Sequence, residues 1–384
     1  LVIILTPPMK LLQTSLKPGT GWNSSQSSSE PFDADLVLAF GQRGPLSHPD
    51  AFAGLKARFP SARIIIASTA GSFTDTAIED DSIVCTALKF ERSRATYAVE
   101  HLDSSANLEE CCHRLGASVA SPDLRHVLIF SDGSMVNGTT LSQAFNKVLP
   151  PGVTLSGGLA GDGTDFIETM VGLDAPPASG MIVAVGLCGA SLQIAFGSSG
   201  GWSPFGPKRT VTASHDNVLQ ELDGKLALDL YKTYLGSEAD ALPASALRFP
   251  LNLTPPGHDN PVVRTILSID EKQGTMTFAG DIPVDSTVQL MRASYEDLIS
   301  GAEAAATAAS QDAELVLCVS CVGRRIVLGQ RIEEELEGVR AIFGAGPVIT
   351  GFYSYGELAP SGHKHKCQLH NQTMTITSLS ERAV

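Results

Sequence analysis

The sequence predicts a mixed α/β (α+β) fold of two closely packed lobes, each a mixed β-sheet with covering helices. Three observations carry this reading. The chain has 384 residues, beyond the length at which one hydrophobic core keeps growing. Through its first half, apolar runs alternate with amphipathic stretches in a β-α-β rhythm. A helical stretch over 222–235 then opens a fresh set of strands, which sets the lobe boundary near residue 222.

Residues 1–34 read as an N-terminal extension and linker, because 17–31 is polar, Ser-rich and low in complexity. A start at Leu1 suggests a missing or processed N-terminus. The first lobe is expected over 35–222. Leu36–Phe40 is an unbroken apolar strand, Ser47 and Pro49 open a helix through Phe59, and Ala62–Ala67 is a second buried strand. Ser82–Phe90 and Arg94–His101 are expected to pair antiparallel, since their short polar connection cannot carry a parallel crossover. Leu108, Cys111 or Cys112 and Leu115 share a helix face, with Ser104 or Ser105 as cap and Gly116 as terminator. Strand 125–130, helix 139–149 and strand 153–156 repeat the rhythm, and Met181–Gly186 and Leu192–Phe196 add sheet.

The second lobe is expected over 223–384. Ser294 and Asp297 form a capping box before an alanine-rich helix running to Ala309. Strand Glu314–Ser320 follows. Leu328, Ile332, Leu336, Val339 and Phe343 then recur at core-facing helical spacing, with Glu333, Glu334 and Glu337 on the solvent side. Val348–Tyr353 and Thr373–Leu379 supply closing strands, and no repeat stands out at a solenoid period.

A formal charge of −14, with no long Lys/Arg block, argues against nucleic acid and anionic membranes as partners. Seven cysteines without regular spacing fit a reducing, cytoplasmic setting better than a disulfide framework. The apolar run Leu1–Leu5 is too short for a signal peptide or a membrane span.

Chemistry-bearing residues gather at strand ends. Ser68, Thr69 and Gly71 follow one buried strand and Asp132 and Gly133 another, where open α/β sheets bind ligands; tight turn formation explains the same residues. Gly157 and Gly158 begin a run of four glycines in seven residues that ends at Asp162-Gly163. Such a run lets backbone approach a ligand, but it lacks P-loop and dinucleotide signatures. Arg324 and Arg325 sit at a strand-to-helix junction, where cations oppose the helix dipole and call for an anion. A protein carboxylate, Glu357 first among them, or a ligand carboxylate would supply it. Cys321 is either a nucleophile at a helix start or a buried structural thiol. His363, His365 and Cys367 alternate as a metal site would on a strand, or as an exposed edge would. No Ser/His/Asp order and no paired-carboxylate motif appears.

Taken in order, Ala67–Gly71, Gly157–Gly163, Gly201-Trp202-Ser203-Pro204, Cys321–Arg324, Gly351-Phe352-Tyr353-Ser354-Tyr355-Gly356-Glu357 and Leu369-His370-Asn371-Gln372-Thr373 resemble the FIST family, N-terminal and C-terminal halves together. The resemblance spans roughly 35–380 and implies a sensory, signal-transduction module that binds a small ligand such as an amino acid. It implies signalling through a separate partner protein, because the two halves consume nearly the whole chain. On this reading the pocket is built from Ser68, Thr69, Gly71, Asp132, Gly133, Gly157, Gly158, Asp162, Cys321, Arg324, Tyr353, Gly356, Glu357, His370 and Asn371, with Arg324 neutralising a ligand carboxylate. A hydrolase using Cys321 or Ser68 is an alternative. Since some relatives bind haem, a gas sensor with His370 as axial ligand is another. The family's first turn often reads Gly-Cys-Ser-Thr-Ala-Gly-Glu, whereas here Ile66 and Ala67 stand in place of the Gly-Cys pair and Ser72 in place of the acidic residue, a departure from the pattern.

Overall fold

The computed structural model describes residues 9–23, 32–102, 107–242, 244–257, 261–362 and 365–382. The chain is mixed α/β and two-lobed, with four sheets in place of one per lobe. Three of the sheets share one plan. In the first, parallel strands Leu36–Gly41 and Arg63–Ser68 flank helix Ala51–Arg58, and Ile83–Lys89 and Lys10–Lys17 continue the sheet antiparallel. In the second, Leu124–Ser131 and Thr154–Leu159 flank helix Gly138–Val148, with Met181–Cys188 and Arg94–His101 beyond. In the third, Leu315–Cys321 and Val348–Ser354 flank helices Val322–Leu328 and Ile332–Phe343, with Met374–Glu381 and Leu192–Ser199 beyond.

Each unit also lends a strand to another unit's sheet. Ser72–Thr74 of the first pairs with the third, Val171–Leu173 of the second with the first, and Gly356–Ser361 of the third with the second. The exchange closes as a ring of backbone hydrogen bonds. Ala70 N donates to Tyr353 O at 2.8 Å, Tyr355 N to Leu159 O at 3.2 Å, and Gly161 N to Ser68 O at 2.9 Å. Ser68, Leu159 and Tyr353 thus hold one equivalent place, and the body is a pseudo-threefold assembly. Inside it, Phe40, Phe130 and Phe352 meet at ring distances of 4.7–6.3 Å in a core shared by all three sheets. The helices cover the outer faces with separate cores.

The register explains two of the glycines. Gly157 (φ 137°) and Gly351 (φ 153°) are equivalent, each with a backbone conformation that side-chain-bearing residues rarely adopt. A Cβ at either would strike the carbonyl of the paired residue, Ile129 or Cys318. Ile66 occupies the third equivalent place.

The eight-stranded antiparallel sheet, spanning 203–292, is inserted in the third unit between Leu192–Ser199 and helix Tyr295–Ala308. It has its own core around Tyr231, Phe278 and Leu253. The expected boundary at 222 falls inside this sheet, whose strand Val218–Leu222 pairs with Thr275–Phe278.

Several expectations are corrected. Lys10–Lys17 is a strand of the first sheet and not part of a free extension, because Leu16 and the polar Gln13, Thr14 and Ser15 are buried there. Gly21–Asn23 pairs back onto it; 24–31 of the expected linker lie outside the described residues. Ile83–Lys89 and Arg94–His101 do not pair. The short link between them carries the chain from the first sheet to the second. The helix at Leu108–Val119 is capped by Asn107, whose side chain accepts from Glu109 N at 2.9 Å, and it runs through Gly116. The alternative caps Ser104 and Ser105 lie outside the described residues.

Candidate ligand-binding site

Where the second and third units meet under the inserted sheet, a cavity of about 500 Å³ opens. The second unit supplies the turn that follows strand Leu124–Ser131. Asp132 shapes this turn: Oδ1 accepts from Ser134 N and Met135 N, both at 2.7 Å, and Oδ2 from Gly180 N at 2.8 Å. Asn137 caps the next helix, accepting from Thr140 N at 3.0 Å, and its Nδ2 reaches Asp281 of the insertion at 3.0 Å. The third unit supplies Cys321, Val322, Gly323, Ile326 and Tyr355, and the insertion supplies Asn217, Leu247, Thr265, Leu267 and Phe278–Gly280.

Phe166 closes one side, stacked on Tyr355 with ring centroids 4.6 Å apart. Its loop is gathered by Asp162, which accepts from Phe166 N, Ile167 N and Glu168 N at 2.8–2.9 Å and from the Tyr355 hydroxyl. Burial pushes the Asp162 carboxyl up, but these bonds outweigh it and hold the group below the ordinary range, as an anion. Among the described lining residues, Asp216 at the exposed rim is the one acidic or basic side chain.

Behind Cys321 lies Glu357, fully buried, accepting from Ser354 Oγ at 2.6 Å and Thr373 N at 3.3 Å and in contact with the thiol. Burial raises both groups far above their ordinary values, so each keeps its proton. A thiol so held is a poor nucleophile.

Of the fifteen residues singled out in the sequence, Gly133, Cys321 and Asn371 line the cavity and Glu357 stands behind it. Arg324 does not, and its assigned role is corrected. Its guanidinium is wholly buried, donating from Nε to Glu335 at 2.7 Å and to the carbonyls of Gly200 and Leu298, both at 2.7 Å. Its counter-charge is Glu335 and not Glu357, and the side chain is wholly buried and absent from the cavity lining. Tyr353 joins the same network, donating to Glu335 at 3.1 Å. Ser68 is buried and accepts from Met170 N at 2.8 Å, and Thr69 bonds Ser72 at 3.1 Å. Ser68 lies where the first unit meets the second and Gly71 where it meets the third, and none of the three lines the cavity. Asp132 and Asp162 shape the cavity's turns, and Gly157, Gly158 and Gly356 serve sheet pairing.

His370 is buried and absent from the lining, so the residues present do not fit an axial haem ligand there. His363 lies outside the described residues; among those described, no cluster of three His, Cys, Asp or Glu side chains could hold a metal. No described helix is long and apolar enough to cross a membrane.

Sequence reasoning missed Thr265, Leu267, Phe166 and Ile326, since a lone apolar or hydroxyl residue carries no spacing signal, whether in a loop as Phe166 and Thr265, on a strand as Leu267 or on a helix as Ile326. Glu335 did carry one. It follows Ile332 by three residues and precedes Val339 by four, an acid on the apolar face of its helix.

The fold is one of exchanged strands with a cavity at one seam. The chain belongs to the FIST family: it matches the FIST N domain over 35–225 and the FIST C domain over 227–360. FIST domains are sensory, signal-transduction modules. No curated protein sequence matches the chain. Among solved structures it is similar to a cyanuric acid hydrolase from A. caulinodans, at 9% identity and a TM-score of 0.36 over 98% of this chain and 100% of that one. A second cyanuric acid hydrolase structure shows 10% identity and a TM-score of 0.30 over the same shares. Likenesses this distant bear on neither activity nor ligand.

Proposed function

We propose that this chain is a small-ligand sensor that binds its ligand in the cavity between the second unit, the third unit and the inserted sheet, and signals to a separate protein partner. One observation supports this above others: three separately built parts of the chain wall a single cavity of about 500 Å³, within the usual range for small-molecule sites. A ligand there ties the insertion to the body, so occupancy becomes a difference in how firmly the parts are held.

The Cys321 thiol and the Glu357 carboxyl, both raised by burial, and the buried Ser68 favour binding over hydrolysis. The expectation of a carboxylate or amino-acid ligand loses its Arg324 clamp, and the family setting is what supports an amino acid. The test is a thermal-shift screen with amino acids, their amides and small acids. A ligand at about 100 times its Kd should add about 2.7 kcal/mol. The Ala279→Trp variant, which fills the cavity, should lose that gain while keeping the unliganded midpoint. If no compound stabilises the protein, or if Ala279→Trp responds like the parent, the sensor reading fails.

A further inference from the structure

The inner wall of the cavity, together with the residues packed behind it, has an unusual polar inventory. Thr265 Oγ1, His370 Nε2, Asn371 Oδ1 and Gln372 Oε1 are all buried without a hydrogen-bond partner. Thr265 and Asn371 belong to the lining itself. Gln372 is packed just behind it, its Nε2 donating to the Leu247 carbonyl at 3.1 Å and its Oε1 set against Gly323. The Asn371 amide is oriented by its own donor, since Nδ2 bonds the His370 carbonyl at 3.0 Å and leaves Oδ1 over. Buried acceptors in native proteins are matched, so a cluster of unmatched ones beside a cavity points to donors that come from elsewhere.

The charge of the donor follows from what stands behind the wall. Arg264 is buried, and a Cβ on the lining residue Gly280 would sit 2.9 Å from its Nε. Its Nε donates to the Asp281 carbonyl and its Nη1 to the carbonyls of Val263 and Leu369, and among the described residues it makes no ion pair. Its field opposes a ligand cation. On the lining itself Asn371 Oδ1 is an acceptor without a donor and Thr265 Oγ1 a hydroxyl free to accept, and the described lining carries no cation for a ligand anion to pair with.

We propose that the cavity selects an uncharged ligand of the carboxamide type, with N–H donors meeting Asn371 Oδ1 and Thr265 Oγ1 and an apolar body against Met135, Leu267 and Ile326. This rests on the cavity being the sensor's ligand site. Those three apolar side chains are 39–51% exposed, as expected of walls that a ligand covers.

A matched set of probes tests it: hydrocinnamamide, hydrocinnamate and phenylpropylamine share one skeleton and differ in charge. Titration calorimetry should rank the amide about tenfold or more above the other two. Thr265→Val, which keeps shape and removes the acceptor, should weaken the amide about tenfold and leave the acid unchanged. Asn371→Asp should move the preference to the amine. Binding of the acid as tight as the amide, or an unchanged ranking in Thr265→Val, overturns the inference and leaves the sensor reading standing. If Asn371→Asp does not fold, the Thr265→Val ranking decides alone. Failure of all three probes to bind, with the thermal-shift screen also blank, removes both.

Discussion

The seam between the first and third units and the seam between the second and third are cut from the same backbone plan, yet one is sealed and the other opens into the cavity. At the sealed seam, Arg325 reaches across from helix Val322–Leu328, donates to the Ala70 carbonyl, and pairs with Asp80 at 2.6 Å beside Gly71. At the open seam, the same helix presents Val322, Gly323 and Ile326, and the insertion roofs the gap without filling it. Pseudo-symmetry therefore repeats the frame, and side-chain choice decides which seam stays open. The neighbouring arginines share the work. Arg325 plugs one seam, while Arg324 braces the base of the insertion under the other by holding the carbonyls of Gly200 and Leu298.

The largest effect is expected at that brace. Arg324→Met leaves Glu335 charged and buried without its partner, which costs about 3–5 kcal/mol in urea unfolding. Adding Glu335→Leu should recover most of the loss, because removing both charges ends the desolvation penalty. A loss under about 1 kcal/mol for the single variant would mean that the pair does not hold the insertion's base.

Acid should strike next, through His370 near the open seam. Burial, and then the nearby Arg264, lower its pKa from 6.5 to about 4. As pH falls below 6.5 the unfolded chain takes up a proton that the folded chain refuses. The stability from this group is complete above pH 6.5 and drains away towards pH 4, by roughly 3 kcal/mol in all. His126, lowered by burial to about 3, adds to the same slope. His370→Asn should therefore flatten the slope in part. A slope unchanged by that substitution would show that His370 is not buried neutral.

The frame was more legible in the sequence than the seams were. Apolar runs such as Leu36–Phe40 and Leu124–Ser131 announce strands because burial on both faces needs nothing else. Partner choice is not local, so Ile83–Lys89 looked like a hairpin arm of Arg94–His101, and the strand exchange was invisible. Lys10–Lys17 was hidden by its polar residues, which are buried against the third unit: Gln13 Nε2 reaches the Ile349 carbonyl at 2.9 Å. For the site, the motifs located Gly133, Cys321 and Asn371, since turns at strand ends have recognisable chemistry. Arg324 was conspicuous for its charge, and the structure uses that charge internally. The roof residues Thr265 and Leu267 come from a sheet whose place over the seam depends on the whole topology.

Gly157 offers a test of how strictly the frame repeats. Gly157→Ala places a Cβ against the Ile129 carbonyl at φ 137° and should cost about 1–3 kcal/mol. Ile66→Ala at the equivalent place in the first unit meets no such conflict and should show only the loss of side-chain packing. Equal backbone shifts in the two variants, seen by amide chemical shifts along the paired strands, would refute the assigned equivalence.

The smallest effect is expected at the plug itself, and it bears most directly on why the two seams differ. Arg325 is 24% exposed and its partner Asp80 40%, so solvent screens much of their attraction. Arg325→Ala should cost only about 1 kcal/mol, the scale of a part-buried pair plus a bond to one carbonyl. The local consequence should exceed the global one. With the guanidinium gone, the strand exchange at this seam rests on backbone bonds alone, those of the Ser72–Thr74 pairing and, nearest the plug, Ala70 N to Tyr353 O and Tyr353 N to Gly71 O, both 2.8 Å long. Hydrogen exchange at those amides should quicken, while amides at the open seam, Tyr355 among them, keep their parent rates. If exchange at the two seams quickens together, the units move as one body and Arg325 is a general brace. If neither changes, the ring of backbone bonds seals the seam without it, and the difference between the seams must lie in the insertion's roof.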